Sequence, residues 1–141
     1  MKTLELRDGD LVIGPSGHAL VTGRAKLRQD LSLAVREPYG CDRFHPRWGS
    51  MLDSYVGGVI DEFSAAEVKS EVMRVVGNYM ALQQDQVAAV NAAGRKPTFG
   101  FGEVVAGIDG VEVRQTFDRL YVRVRVRTLS GDTVAVATSA R

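Results

Sequence analysis

Glu37 and Asp42 flank the turn Pro38-Tyr39-Gly40-Cys41, and two neighbouring acids are the minimum equipment for hydrolysing a glycosidic bond. That chemistry needs the carboxylates at a set separation across a substrate cleft, one of them with a raised pKa. The sequence supplies only two acids beside a turn, a position that capping and surface solvation explain equally well, so no catalytic residue is assigned. Cys41, Asp42 and His45 are spaced so that each could touch a metal. A structural zinc ion asks for four ligands and a catalytic one for three plus water, and the other histidine, His18, is distant in sequence. A packed thiol and a hydrogen-bonded imidazole are the simpler assignment, and neither a metal nor a cofactor is expected. The chain has no Gly-rich phosphate loop, no Cys-x-x-Cys and no Ser-His-Asp order.

Arg123, Arg125 and Arg127 alternate with Val122, Val124 and Val126, and Arg119 extends the series. A strand with this pattern buries its valines and turns a positive stripe outward. Such a stripe is a solvated face whose aliphatic stems cover apolar neighbours, or the complement of an acidic partner surface. Nucleic acid is a third occupant. It is weakened by a formal net charge of only +1 and by the absence of interleaved aromatics other than Tyr121.

The third chemical concentration is Asp42-Arg43-Phe44-His45-Pro46-Arg47-Trp48-Gly49-Ser50, which places aromatic residues, charges and a proline in one loop. Exposed loops that spend large aromatics usually touch something, although a loop packed on itself over the preceding helix uses the same residues.

These residues need a scaffold. Leu27, Leu31, Ala34 and Val35 repeat at helical spacing, predicting a helix from about Arg24 to Arg36 that Pro38 ends. Met51, Leu52, Tyr55, Val56, Val59 and Ile60 around Gly57-Gly58 read as one or two helical turns and a glycine bend. Ser64 with Glu67 makes a capping box, and Phe63 with Val68 a hydrophobic staple, for a second helix striped by Val68, Val72, Val75, Val76, Tyr79 and Leu82. The polar stretch Gln83 to Gln86 marks a break in that helix, and Gly94 with Pro97 its end. Before the first helix, short apolar runs around Asp8-Gly9-Asp10 and Gly14-Pro15-Ser16-Gly17 predict a small hairpin or two short strands, with Ala19 to Val21 extended. After the second, Glu103 to Ala106 and Val111 to Phe117 are expected to pair across an Asp109-Gly110 turn. Leu120 to Arg127 and Thr133 to Thr138 complete the strands.

The expected fold class is therefore α+β: two main helices packed on a small antiparallel sheet formed mostly by the C-terminal strands. At 141 residues the chain suits a single domain, 1–141, able to bury about two-thirds of its unfolded surface without staples. Cys41 is the only cysteine, which leaves no internal disulfide and makes a reducing compartment the simpler assumption. No run approaches the roughly twenty apolar residues of a membrane span, and the charged opening Met1 to Asp10 holds no apolar segment of signal-peptide length.

The run Leu27-Arg28-Gln29-Asp30-Leu31, then Gly40 with Arg43, Phe44, Pro46, Trp48 and Gly49, and Leu52 soon after, resembles the signature of the baseplate wedge proteins that initiate the sheath of contractile phage tails. The order of elements agrees over most of the chain. The resemblance implies a structural, non-enzymatic role in the virion's tail baseplate, assembled in the host cytoplasm, in six copies around the tube. It implies the tail sheath protein, baseplate wedge proteins and tail tube or hub proteins as partners, with no membrane and no direct nucleic acid. It further implies that the chain templates the first sheath ring by strand exchange. The exchanging edge is expected in Tyr121 to Arg127 (Tyr121, Arg123, Arg125, Arg127) or in Thr133 to Thr138 (Val134, Val136). Family members often carry Glu-Pro-Arg after an Asn-Tyr pair. Here Asn78-Tyr79 is followed by Met80-Ala81-Leu82, so that triplet's contact does not carry over. The family has at times carried a lysozyme label, which keeps peptidoglycan hydrolysis as the enzymatic alternative, beside a small nucleic-acid-binding module.

Overall fold

A computed structural model of the chain describes residues 1–7, 9–116 and 119–140. Residues 3–21 form six two-residue strands, β1(Thr3–Leu4), β2(Leu6–Arg7), β3(Asp10–Leu11), β4(Ile13–Gly14), β5(Gly17–His18) and β6(Leu20–Val21). They pair antiparallel as β1 with β6, β2 with β3 and β4 with β5. The expected turn at Asp8 lies partly outside the described residues, while Gly14 and Gly17 close the next one.

Helix α1(Gly23–Arg36) buries Leu27, Leu31, Ala34 and Val35, the stripe its spacing predicts. The chain leaves it at Glu37, immediately before Pro38. A 3₁₀ turn over Leu52–Tyr55 precedes Gly57-Gly58, and α2(Glu62–Ala92) follows. Strands β7(Val105–Thr116), β8(Arg119–Thr128) and β9(Thr133–Ala140) make one antiparallel sheet in the order β7-β8-β9. The fold is α+β, with both helices against one face of this sheet.

The core is where the two periodicities meet. Leu120, Val122, Val124 and Val126 of β8 and Val134 and Val136 of β9 face Leu27, Leu31 and Val35 of α1 and Val68, Val72, Val75 and Val76 of α2. All are essentially inaccessible to solvent. Each such side chain contributes roughly 1.5–3 kcal/mol on leaving water. No helix among the described residues is long and apolar enough to cross a membrane.

Three local expectations are corrected. Helix α2 starts earlier than the Ser64 and Glu67 box predicts: Asp61 is the cap, its carboxylate accepting from Ser64 N at 2.8 Å while Ser64 Oγ accepts from Asp61 N. Phe63 is then inside the helix and 72% exposed, so the staple with Val68 is not made. Asp109-Gly110 is not a hairpin turn. Strand β7 runs straight through it, and the dipeptide falls at a bulge between Ile108 and Gly110. Turn chemistry and bulge chemistry both use glycine, and the long partner β8 decides in favour of the bulge. The end of the expected strand at Phe117 lies outside the described residues.

The third correction concerns Gln83 to Gln86, where α2 continues unbroken to Ala92 and stops at Gly94, whose φ is +62°. Gln83 is polar because it does the work of a strand partner. Its Nε2 donates to Glu103 O at 2.7 Å and its Oε1 accepts from Val105 N at 2.9 Å, fastening the start of β7 to the helix. Replacing Gln83→Leu keeps the volume and removes both bonds. We expect a loss of about 1–3 kcal/mol in urea unfolding and faster hydrogen exchange at the Val105 amide.

Candidate functional site

The site is assembled from a strand edge, the helix beside it and the loop after that helix. Strand β8 lies between β7 and β9, so both of its backbone edges are already paired. The expected exchanging edge at Tyr121, Arg123, Arg125 and Arg127 is corrected accordingly: those side chains are outward, but their backbone is used. The outer strands remain. In β7 the ladder shifts register between Val105 and Gly107 and again between Ile108 and Gly110. In β9 it runs from Arg127↔Thr133 to Leu120↔Ala140 without a shift. A regular edge is the better template for another strand, because a bulge breaks the donor and acceptor spacing that the newcomer must match.

A groove of about 590 Å³ runs along β9, with Ala137 and Ser139 on the strand side and Arg28, Ser32, Leu33 and Arg36 on the α1 side. Its far wall is the N-terminal segment, held to α1 by Gln29, which accepts from Leu6 N at 2.8 Å and donates to Leu4 O at 2.9 Å. The side chains of Val134 and Val136 are in the core, so at those positions only backbone is available to a partner.

The next residue, Asp30, does different work. It pairs with Lys26 and accepts from the Tyr79 hydroxyl at 2.8 Å. Burial and the Asp30 charge push the Tyr79 phenol above its ordinary value of 10, keeping it a neutral donor. The start of α1 is capped from across the fold. Thr22 makes no side-chain cap, and Glu103 Oε1 accepts from Gly23 N at 2.6 Å. Burial raises the Glu103 pKa, but the Gly23 amide and the Met1 amine outweigh it and leave the group below the usual carboxylate range.

The loop is closed at its neck. Pro38 and Ser50 form an isolated bridge, with Tyr39 N donating to Ser50 O and Ser50 N to Glu37 O. Ser50 Oγ also donates to Val35 O at 2.6 Å. Helix α2 grips it from the other side. Glu71 accepts from Met51 N at 2.8 Å and from Arg74 at 2.7 Å, and Arg74 donates to Gly49 O at 2.8 Å while lying 5.1 Å over the Tyr39 ring. Trp48 packs inward, 6.2 Å from the Tyr79 ring centroid. Phe44 points away, 86% exposed, with Arg43 and Pro46 beside it also open. The motif loop therefore divides: Trp48 and Gly49 anchor it, and Arg43, Phe44 and Pro46 are displayed.

Asp42 organises the displayed tip, accepting from Phe44 N at 2.8 Å and contacting His45 Nδ1 at 2.8 Å. The His45 hydrogen bond and the Phe44 amide hold its carboxyl below the usual range, opposite to what a proton donor to a leaving group requires. Cys41 is exposed, and no group of three or more His, Cys, Asp or Glu among the described residues is placed to share a metal ion.

No protein-family model, curated protein or solved structure matches this chain.

Several residues that build the site were not singled out by sequence reasoning. Glu71 carries a signal, since it falls on the buried stripe between Val68 and Val75, and a polar residue there needs a partner. Gln29 lies in the Leu27–Leu31 run that carries the family resemblance, but nothing local shows that it holds Leu4 and Leu6, and Glu103 carries no signal, because these partners are remote main-chain atoms.

Gly49 admits no side chain. A Cβ there would lie 2.5 Å from Pro38 O and 2.7 Å from Glu37 O, and its φ is +89°. Gly49→Ala should cost roughly 2–4 kcal/mol in denaturant unfolding, because the obstacle is backbone at the neck of the loop. Glu71 provides a pH test. The Arg74 hydrogen bond lowers its folded pKa below the ordinary 4.5. Its contribution is thus complete above that value and is lost as pH falls through the depressed one. Urea unfolding of Glu71→Gln should show lower stability at neutral pH and a shallower acid decline than the parent chain.

Proposed function

We propose that this protein is a structural component of a contractile-tail baseplate, joining wedge and tube proteins to the first sheath ring and seeding sheath assembly by strand addition at β9. The observation that carries the reading is the regular outer edge of β9, which no other strand among the described residues pairs, beside the groove faced by α1. An extended segment entering there finds backbone donors and acceptors on one side, and its alternate side chains meet Leu33 and Ser32 on the other. The baseplate setting is supported by the resemblance of the Leu27–Leu31 run and the Gly40, Arg43, Phe44, Pro46, Trp48 and Gly49 loop to sheath initiators.

Mechanically, the arrangement suits transmission of force. The edge belongs to a strand that packs on α1 and whose Val134 and Val136 sit in the common core, and the loop is locked to α2 by the Glu71 and Arg74 pair. A pull on an added strand is therefore borne by a row of hydrogen bonds and passed to the core, instead of to a few flexible side chains. The displayed Arg43, Phe44 and Pro46 form a second contact zone, suited to a wedge protein.

Cryo-electron microscopy of a contractile tail containing this chain should reveal six copies between the tube and the first sheath ring, with a sheath strand running antiparallel or parallel along Thr133–Ala140. A tail in which this edge is bare, or from which the chain is absent, sinks the proposal.

A further inference from the structure

The outer face of the three-stranded sheet carries a second recognition surface, which adjoins the β9 edge. The alternation of β8 sends Arg119, Tyr121, Arg123, Arg125 and Arg127 to this face, opposite the buried leucine and valines. The row is not uniform. Arg125 reaches Glu112 at 3.5 Å and Arg127 reaches Asp109 at 3.8 Å, both acids of β7. Their guanidinium groups lie over the two glycines opposite them: a Cβ at Gly110 would meet Arg125 Nη2 at 3.1 Å, and one at Gly107 would meet Arg127 Nη2 at 3.7 Å. The glycines thus form a bed in which these two arginines are drawn to the β7 side and neutralised.

The other half of the row is different. Arg123 is directly opposite Glu112, yet that carboxylate is given to Arg125. Arg114 is opposite Tyr121, and neither Arg114 nor Arg123 has an acidic partner among the described residues. With Tyr121 they rim a depression of about 380 Å³ that Glu112, turned to Arg125, borders on the β7 side and Ala137 and Ser139 floor on the β9 side. Small residues opposite Arg123 and Tyr121 leave room above β9 where larger ones would fill it. Two guanidinium groups without an acidic partner among the described residues, one aromatic ring and a shallow floor of small side chains make a receptor for carboxylates on a narrow chain.

We propose that this depression docks an acidic polypeptide segment of a partner protein, its Asp or Glu carboxylates taken by Arg114 and Arg123 and its backbone lying over Tyr121 and Ala137. Charge complementarity selects the occupant. Among the described residues the face carries five arginines, Arg114, Arg119, Arg123, Arg125 and Arg127, against two acids, Asp109 and Glu112, in a chain whose formal net charge is only +1. A nucleic-acid strand is disfavoured because a single aromatic offers no stacking series and the acids interrupt any continuous phosphate track. The proposal does not depend on strand addition at β9: Ala137 and Ser139 border both surfaces, but the carboxylates are taken by Arg114 and Arg123, which line only the depression.

The test is fluorescence anisotropy of the full chain with a fluorescein-labelled peptide of alternating Glu and Ser, and in parallel with a labelled oligothymidine. Three proteins are compared: the parent, Arg114→Gln with Arg123→Gln, and Arg95→Gln with Lys96→Gln, which removes the same charge beyond the end of α2. All four positions are exposed, and thermal unfolding checks that each protein is folded. The expected result is saturable peptide binding that weakens at least tenfold in the Arg114 and Arg123 variant, is unchanged in the Arg95 and Lys96 variant, and moves the amide resonances of Tyr121, Ala137 and Ser139. Absence of saturable binding, equal weakening by both variants, or tighter binding of the oligothymidine through the same arginines would each overturn it.

Discussion

The structure depends on one constraint: β8 has two faces, and only one of them can be buried. Leu120, Val122, Val124 and Val126 lie within a percent of full burial, while the residues between them are exposed. Leaving water stabilises these four side chains by roughly 6–12 kcal/mol together, comparable to the net stability of a typical domain. A slip of one residue would bury arginines and expose valines, so the register is fixed by the core and not by any turn. Once β8 is fixed, the strands on either side of it inherit their register, and the helices inherit the surface they must cover.

That same constraint decides where partners can act. Because β8 is central, its backbone is satisfied, and the unpaired edges fall to β7 and β9. Because β8 is two-faced, the side not covered by helices must carry the arginines. The proposed edge and the proposed acidic-segment surface are thus two consequences of one strand: the first concerns backbone at the margin of the sheet, the second side chains at its centre.

Around the apolar core runs a set of polar pins that set geometry more than they add stability. Glu103 caps α1 from the approach to β7, Gln83 ties α2 to the same approach, Asp30 joins α1 to Tyr79 of α2, and the Glu71 and Arg74 pair holds the loop. Each links segments distant in sequence, and each gives a buried or half-buried polar atom its partner, which is why such groups are tolerated there. Their joint effect is to fix α1, the loop and β9 relative to one another. A surface made of an edge, a helix and a loop needs that rigidity to present one shape.

Much of this was legible from residue order alone. The alternation in Leu120 to Arg127 and the helical spacing of Leu27, Leu31, Ala34 and Val35 determined the inward faces, because periodicity reports burial directly. The α+β class followed from the order of those patterns. What the residues could not disclose was which of two compatible structures a local signal would serve. Asp109-Gly110 suits a hairpin or a bulge, Asp61 and Ser64 compete as caps, and Gln83 to Gln86 is polar in a break or in a helix with work to do. For the bulge and for the unbroken helix the choice was made by a partner far along the chain: the length of β8, and the buried Val105 amide and Glu103 carbonyl at the approach to β7. Strand order was likewise beyond local reading, and with it the fact that the arginine strand is central and β9 is the open edge. Sequence determined which faces are apolar, since that depends on each side chain's affinity for water. Tertiary structure decided which backbone groups remain free, since that depends on which strands come to lie side by side.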